Sequence, residues 1–348
     1  MNVTIIKQLP TAEEIIQAFP LSETAHMQVA RDQQEVKDII SGKDKRMIVI
    51  VGPCSAWPFD ATLAYAKKLK TLEEKLKHKL KIIMRVYIQK PRTSKGWTGP
   101  INQPNPFAEP DIAEGIRYSR DIMVRIIEMG LPISDESVFT HNAKGFNELL
   151  SWVAIGARST EDQEHRVFAS CIDAPVGMKN PTSGNLEIGV NSIIAAQAKH
   201  MAVFHGAQVQ THGNPYAHLV LRGGLDQPNY HVEDLYTAKK QLEIAKVSNP
   251  AVIIDASHDN CKVKGTKDPV QQMNVIREVL MTLREHPDLQ SLVKGFMVES
   301  FIKGGCQKVE KLTPETIDLD GLSITDPCLS WEQTEEILNT IADEHTID

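Results

Sequence analysis

The chain has 348 residues, of which 41% are hydrophobic and 24% charged, as is usual for a soluble globular protein with one large domain or two ordinary ones. The formal net charge is −7 and no long basic run occurs, which argues against nucleic acid as a partner, because binding a phosphate backbone requires a broad positive surface. The N-terminus lacks a signal-peptide pattern, no apolar run approaches a membrane span, and the five cysteines are scattered. We therefore expect a cytoplasmic protein that does not bind a membrane.

The first 45 residues predict a helical extension, because the stretches 11–19 and 30–41 resemble amphipathic helices. From residue 46 to 348, short apolar strands alternate with amphipathic helices. The eight strand candidates are 46–52, 81–87, 131–137, 152–157, 174–179, 217–223, 251–257 and 295–300. Several are apolar throughout, which is typical of parallel strands covered by helices on both sides.

The intervening helices are predicted from apolar residues at helical spacing, for example in 60–77, 116–129 and 270–284. Eight strand–helix units in one uninterrupted stretch favour an α/β fold of the (β/α)8 barrel type, with a doubly wound open sheet as the alternative. The segment 201–216 alternates and contains Gly-Asn, which predicts a short hairpin inserted before strand 6.

Reactive side chains lie at or just after the carboxyl end of nearly every predicted strand, where barrels of this type place their active sites. They are Cys54, Arg85, Lys90, Arg92, Glu136, Arg158, Lys179, Arg222, Asp255, His258, Glu299 and Asp326. A single charged residue in such a place is most often a solvated loop residue. Several cations on one rim would repel one another, however, unless anions were bound between them. The planar guanidinium of arginine and the ammonium of lysine both suit phosphate and carboxylate groups. The set contains six arginines and lysines, which is more than one phosphate needs.

A second group at the strand ends has the chemistry of a metal site. It consists of Cys54, His258, Glu299 and Asp326, which together offer sulfur, nitrogen and oxygen ligands suited to a divalent transition metal. The four residues are far apart in sequence, so their spacing forms no local motif. Each alone is more often a packing or hydrogen-bonding residue.

Eight motifs closely resemble those of the type I 3-deoxy-D-arabino-heptulosonate 7-phosphate (DAHP) synthases, over nearly the whole chain. They are GPCS (52–55), MRVYIQKPRTSKGW (84–97), WVAIGARSTEDQEHR (152–166), PVGMKN (175–180), HLVLRGG (218–224), DASH (255–258), MVES (297–300) and SITDPC (323–328). The resemblance implies a transferase that condenses phosphoenolpyruvate with erythrose 4-phosphate, releases phosphate and opens the shikimate pathway.

The resemblance also implies roles for the individual residues. For phosphoenolpyruvate it implies Arg85, Lys90, Ala157, Arg158, Lys179 and Arg222, with Glu136 acting through water. For the phosphate of erythrose 4-phosphate it implies Arg92 and Thr93. Lys90 is the candidate general acid, and Cys54 and His258 join it as catalytic residues through the metal.

The metal ligands implied by the resemblance are Cys54, His258, Glu299 and Asp326, and ligands of mixed softness favour Mn, Fe, Co or Zn over Mg. The expected partners are the two substrates and further copies of the chain, in a homodimer or a homotetramer.

Three regions depart from the family pattern. Ala56-Trp57-Pro58 replaces a common His-Asp pair, where Trp57 either packs at the helix start or reshapes the rim near Cys54. After Glu136 the chain reads SVFTHNAKGF, and the hairpin region 198–212 is short. In regulated members the last two regions help to line a pocket for an aromatic amino acid. We therefore expect phenylalanine, tyrosine and tryptophan to inhibit weakly or not at all, unless Phe139, Phe168 and Phe204 rebuild the pocket.

Two alternative functions remain at this point. One is 3-deoxy-D-manno-octulosonate 8-phosphate synthase, against which the KPRT motif and the N-terminal extension argue. The other is a catalytically silent sugar-phosphate sensor or partner subunit, against which the intact Lys90 and the complete metal set argue.

Overall fold

Eight parallel strands close into a barrel in the computed structural model, which describes residues 2–92, 96–138, 140, 144–204, 206–225 and 227–345. The described residues form these eight strands and four others that lie outside the barrel. In chain order they are β1 (Met47–Gly52), β2 (Leu80–Arg85), β3 (Ile133–Ser137), β4 (Trp152–Ile155), β5 (Val176–Lys179), β6 (Met201–Phe204), β7 (Ala207–Gln210), β8 (His218–Leu221), β9 (Val252–Asp255), β10 (Lys262–Val263), β11 (Thr266–Lys267) and β12 (Val293–Glu299). The barrel order is β1-β2-β3-β4-β5-β8-β9-β12, and β12 pairs with β1 to close it. The predicted (β/α)8 barrel is confirmed, and closure excludes the open sheet.

The helices surround this barrel. Within the described residues they are α1 (Ala12–Ala18), α2 (Glu23–Ile40), α3 (Phe59–Leu76), α4 (Ile112–Glu128), α5 (Gln163–Cys171), α6 (Leu186–Gln197), α7 (Val232–Ile244), α8 (Gln271–Glu285) and α9 (Trp331–Glu344). Short 3-10 helices cover Asn147–Leu149, His258–Cys261, Pro287–Leu289 and Val309–Lys311. In the part of the chain that the structure describes, no helix combines the length and the apolarity that a bilayer crossing needs.

The barrel strands are buried on both faces, which explains their continuous apolar sequences. Successive side chains of β1 alternate between two clusters, as strand geometry requires. Ile48 and Ile50 belong to the cluster inside the barrel, together with Trp152, whereas Val49 and Val51 pack against the helices.

Helix α2 closes the amino end of the barrel. Its residues Val36, Ile39 and Ile40 are buried in the same cluster as the inward-facing strand residues. The buried ammonium of Lys81, on β2, donates to Asp32 Oδ1 and to a carboxylate oxygen of Glu35, at 2.7 Å each. The predicted helical extension is therefore part of the barrel's packing.

Two small hairpins extend from the barrel. β6 and β7 pair antiparallel, with Met201 opposite Gln210, and they form the predicted insertion before the sixth barrel strand. β10 and β11 pair antiparallel just after β9, with Lys262 opposite Lys267. The sequence did not predict this second hairpin.

Candidate active site

The carboxyl ends of the barrel strands carry buried ionisable residues. Arg85, Lys179, Asp255 and Glu299 are the last residues of β2, β5, β9 and β12, and Glu136 lies near the end of β3. All five are buried. Because parallel strands end at one rim, the barrel brings together side chains that are far apart in sequence.

Three of the four predicted metal ligands form a compact group. The ligand atoms of Cys54, Glu299 and Asp326 all lie within 4.8 Å of one another. Cys54 and Glu299 are buried, and Asp326 is partly exposed. One sulfur and two carboxylate oxygens at this spacing fit a divalent transition metal better than a hard cation such as Mg²⁺, which prefers oxygen ligands only.

His258, the fourth predicted ligand, lies beside this group and not within it. Its Nδ1 atom is 2.8 Å from Asp255 Oδ2 and 2.8 Å from Ser257 Oγ. Burial and the neighbouring Lys179 lower the pKa of His258, although Asp255 opposes this effect. A carboxylate on Nδ1 fixes the ring and leaves Nε2 as the atom that could bind a metal, as is common for metal-binding histidines.

Each of the three grouped ligands also contacts a cation. Lys90 Nζ lies 3.1 Å from Cys54 Sγ, and Arg85 Nη2 donates to Glu299 Oε1 at 3.1 Å. Lys267 Nζ lies 2.7 Å from Asp326 Oδ2. Sequence reasoning missed Lys267, because it occupies a polar stretch, KVKGTK, that is typical of a solvated loop.

The pKa values of two of these candidate ligands are shifted in opposite directions. Burial and the carboxylate of Glu299 raise the pKa of Cys54 to about 11, against a smaller opposing effect of Lys90. The pKa of Asp326 is depressed, because Lys267 and His258 outweigh its burial. Asp326 is therefore a carboxylate at neutral pH, whereas Cys54 must lose a proton in order to bind a metal.

Lys179 links two buried carboxylates. Its Nζ atom lies 3.1 Å from Glu136 Oε2 and 3.4 Å from Asp255 Oδ2. Burial alone would raise the pKa of Glu136, but Lys179 and Lys90 lower it to about 2. Gly156, in the GAR motif, leaves room for the Glu136 carboxylate, because a Cβ atom at this position would lie 2.6 Å from Glu136 Oε1. Glycine at this position lets the carboxylate approach the backbone closely.

Two buried arginine nitrogens in this region lack a hydrogen-bond partner among the described residues. They are Nη1 of Arg85 and Nε of Arg222. The rest of each guanidinium is engaged: Arg85 stacks on Tyr87, with 4.1 Å from Cζ to the ring centroid, and Arg222 pairs with Asp259. Buried donors are nearly always satisfied, so these two nitrogens fit an anionic ligand.

The remaining predicted substrate residues lie further out. Ala157 is half-buried and Arg158 exposed in the turns that follow β4. Arg92 is half-buried in the loop after β2, and its Nε atom donates to the Trp97 carbonyl at 2.7 Å. Thr93 lies outside the described residues.

Trp57, at one of the departures from the family pattern, packs against the loop that carries Arg92. Its ring is 6.4 Å from that of Trp97 in an edge-on arrangement, and both are buried. The Trp57 indole donates to the Pro104 carbonyl, and the Trp97 indole to the Gln103 carbonyl. Trp57 is therefore a packing residue that also supports the rim.

Comparisons with known proteins agree over most of the chain. The sequence model described as DAHP synthetase I family matches residues 19–339. The chain is 36% identical to the Tyr-sensitive phospho-2-dehydro-3-deoxyheptonate aldolase of Salmonella typhimurium, over 98% of this chain and 94% of that protein. It is 36% identical to the Trp-sensitive enzyme of that name from Escherichia coli, over 97% and 95%. A solved phospho-2-dehydro-3-deoxyheptonate aldolase from Francisella tularensis superposes with a TM-score of 0.92 at 34% identity, covering 99% of this chain and 98% of that one.

Proposed function

The chain belongs to the DAHP synthetase I family, and from this premise we propose that it condenses phosphoenolpyruvate with erythrose 4-phosphate. The products are 3-deoxy-D-arabino-heptulosonate 7-phosphate and inorganic phosphate, and the reaction is the first step of the shikimate pathway. The observation that carries the proposal is the presence of two kinds of group at one rim. Buried cations suited to anionic substrates lie beside a compact set of metal ligands.

Phosphoenolpyruvate is assigned to the deep cations. Arg85, Lys179 and Arg222 are buried, and the unpartnered nitrogens of the two arginines can donate to its phosphate or carboxylate oxygens. The assignment also includes Arg158 and the backbone at Ala157. Glu136, held as a carboxylate by Lys179, would accept from a water molecule that bridges to the substrate.

Erythrose 4-phosphate is assigned to the outer loop. Arg92 and Thr93 would bind its phosphate, and this places the aldehyde toward the inner cations. Fixing two mutually repelling anions side by side is the main contribution of these residues, because it replaces an encounter in solution by a positioned reaction.

A divalent metal fits the candidate ligands by their chemistry and spacing. Cys54, Glu299 and Asp326 would hold it, with Nε2 of His258 as the fourth ligand, and the candidates are Mn, Fe, Co and Zn. When bound, such an ion supplies Lewis-acid polarisation of the aldehyde or activation of water.

Lys90 is the proposed general acid. In the condensation, C3 of phosphoenolpyruvate attacks the aldehyde carbon, water adds at C2 and the resulting hemiketal phosphate loses phosphate by C–O cleavage. The aldehyde oxygen becomes an alkoxide that needs a proton. Lys90 Nζ contacts Cys54 at 2.7 Å and 3.1 Å, so its ammonium is beside the ligand group and can protonate or orient that oxygen.

Phosphate release by the purified chain tests the proposal directly. With both substrates we expect one phosphate per molecule of seven-carbon product, and no release with either substrate alone. Lys90→Met should abolish release, whereas Lys264→Met, at an exposed position on the β10–β11 hairpin, should retain it. Release with a five-carbon sugar phosphate in place of erythrose 4-phosphate, or none with any sugar phosphate, would contradict the proposal.

We also propose that the enzyme acts in the cytoplasm as a homodimer or a homotetramer. Light scattering of the purified protein gives its mass in solution. A mass of one chain at the concentrations used for the assay would contradict the assembly.

A further inference from the structure

Three cations contact the candidate metal ligands, and one of them, Lys267, has no part in the proposed reaction. Arg85 and Lys90, which contact Glu299 and Cys54, are assigned to substrate binding and proton transfer. Lys267, which contacts Asp326 at 2.7 Å, has no such assignment. Its position therefore calls for a separate explanation.

Lys267 stands opposite another lysine. The β10–β11 pairing places it directly across from Lys262, and like charges in that arrangement repel. The two side chains are neutralised by different carboxylates: Lys262 lies 2.5 Å from Asp259 Oδ1, and Lys267 lies beside Asp326. The contact with Asp326 thus compensates a repulsion that is built into the hairpin.

Lys267 is also less enclosed than Arg85. Arg85 is fully buried and stacked on Tyr87, so its guanidinium has no alternative position. The Lys267 side chain retains 24% exposure, and the neighbouring hairpin residues 263–266 are exposed. Its ammonium can therefore turn from Asp326 into water.

We propose that Lys267 competes with the divalent metal for Asp326 and thereby sets the metal affinity of the site, an inference that rests on the proposed function. An ammonium on Oδ2 neutralises the charge that attracts the ion and occupies one of the two carboxylate oxygens. A divalent ion bound to the same carboxylate would lie within a few ångströms of the ammonium and repel it. Binding must then displace Lys267, and this cost lowers the affinity.

Metal affinity, measured without turnover, tests the competition. The purified chain is titrated with Zn²⁺ or Co²⁺ against a chromophoric chelator, for the wild type and for two variants that remove the charge, Lys267→Met and Lys267→Gln. We expect the Kd of both variants to fall about tenfold, because the repulsion and the competing contact are both lost. Lys264→Met removes the same charge from the tip of the same hairpin and should leave the Kd within about twofold of wild type.

The possible results separate this inference from the proposed function. A wild type that binds one metal ion, together with Lys267 variants of equal or weaker affinity, would overturn the competition and leave the reaction standing. A wild type that binds no metal would overturn the metal-dependent reaction and the competition together. Circular dichroism and thermal melting of each variant verify that the folded protein is being titrated, and the two substitutions give independent readings if one of them unfolds.

Discussion

The ammonium of Lys90 lies 2.7 Å from the carbonyl oxygen of Cys54 and 3.1 Å from its Sγ atom. One cation thus contacts both the backbone and the side chain of a candidate metal ligand. Arg92, only two positions along the chain, points its Nε atom instead at the carbonyl of Trp97 in the outer loop. The two neighbouring cations therefore contact different parts of the rim.

We predict that substitutions of these two cations separate kinetically. Lys90→Ala should lower kcat, because it removes the group beside the reacting centre. Arg92→Ala should mainly raise the KM for erythrose 4-phosphate, and the loss of one charge-assisted phosphate contact costs about 1.5–3 kcal/mol. Steady-state kinetics with each substrate varied in turn measures both parameters. Equal effects of the two substitutions on kcat and KM would contradict the division of roles.

Chelation is expected to abolish turnover, and Cys54→Ser should do the same without unfolding the chain, since a neutral hydroxyl is a much poorer ligand than a thiolate for ions such as Fe, Co and Zn. Cys171→Ser is the matched control. Cys171 is a free, half-buried cysteine at the end of α5, and its substitution should leave turnover and metal content unchanged. Turnover and bound metal are measured before and after dialysis against a chelator. Full activity in the exhaustively chelated protein would rule out the metal requirement.

Acid should destabilise the barrel through His218. Burial lowers the pKa of this histidine to about 4. Its Nε2 atom accepts from the Trp152 indole at 3.1 Å, and its Nδ1 atom donates to the Tyr216 carbonyl at 2.8 Å, so no nitrogen is free to take a second proton. The unfolded chain takes up that proton near pH 6.5. The contribution of His218 to the free energy of unfolding is therefore present above about pH 6.5. It is lost as the pH falls toward 4, and the loss is at most about 3 kcal/mol.

Urea unfolding between pH 7 and pH 4 measures this contribution. The free energy of unfolding should depend less on pH in His218→Gln than in the wild type, because glutamine accepts from Trp152 but does not titrate. His26→Gln, at an exposed position on α2, should preserve the wild-type dependence. If the free energy of unfolding depended equally on pH in all three proteins, His218 would not contribute to the acid destabilisation.

Aromatic amino acids should inhibit this enzyme weakly or not at all. The hairpin that precedes the sixth barrel strand has only four residues in each strand, and its Phe204 lies 6.2 Å from Phe168, centroid to centroid. These two rings pack on each other, which leaves less apolar surface for a ligand ring. Phe139 and His205 lie outside the described residues. Initial rates at subsaturating phosphoenolpyruvate with each amino acid test the prediction, and strong inhibition at sub-millimolar concentration would show that a pocket survives.

Residues 1–45 are proposed to act as a structural cap on the catalytic barrel of residues 46–348. Ile39 is buried with the inward-facing barrel residues, so Ile39→Ala should lower the free energy of unfolding by about 2–5 kcal/mol. Met27 is exposed on the same helix, and Met27→Ala should change it by less than about 0.5 kcal/mol. Urea unfolding compares the two. Similar stabilities would mean that the extension does not hold the barrel.

The strands and the strand-end residues were predictable because their signals are local. A buried parallel strand is apolar along most of its length, and a charged residue at its carboxyl end marks the rim. Glu299 and Lys179 could be placed in this way without knowledge of the strand order.

The side-chain contacts between loops could not be predicted from the sequence. Lys267 meets Asp326 only because a two-residue hairpin after β9 folds over the rim, and nothing in a polar stretch specifies that direction. His258 was expected to be equivalent to the other ligands. Its backbone takes a φ of 58°, and its Nδ1 atom is engaged by Asp255, so it lies beside the group. Such features depend on contacts between segments that are remote in sequence.

The packing of α2 against the barrel interior also determines how molecules reach the site. With the amino end sealed by Val36 and Ile39, substrates and products must share the opening at the carboxyl end. Under the proposed assignments, the anion bound by Arg85 lies at the bottom of that opening, and the one bound by Arg92 lies nearer its mouth. A molecule at the mouth blocks the path of the molecule below it. Under those assignments, the deeper substrate would have to bind before the shallower one, and the deeper position would empty last.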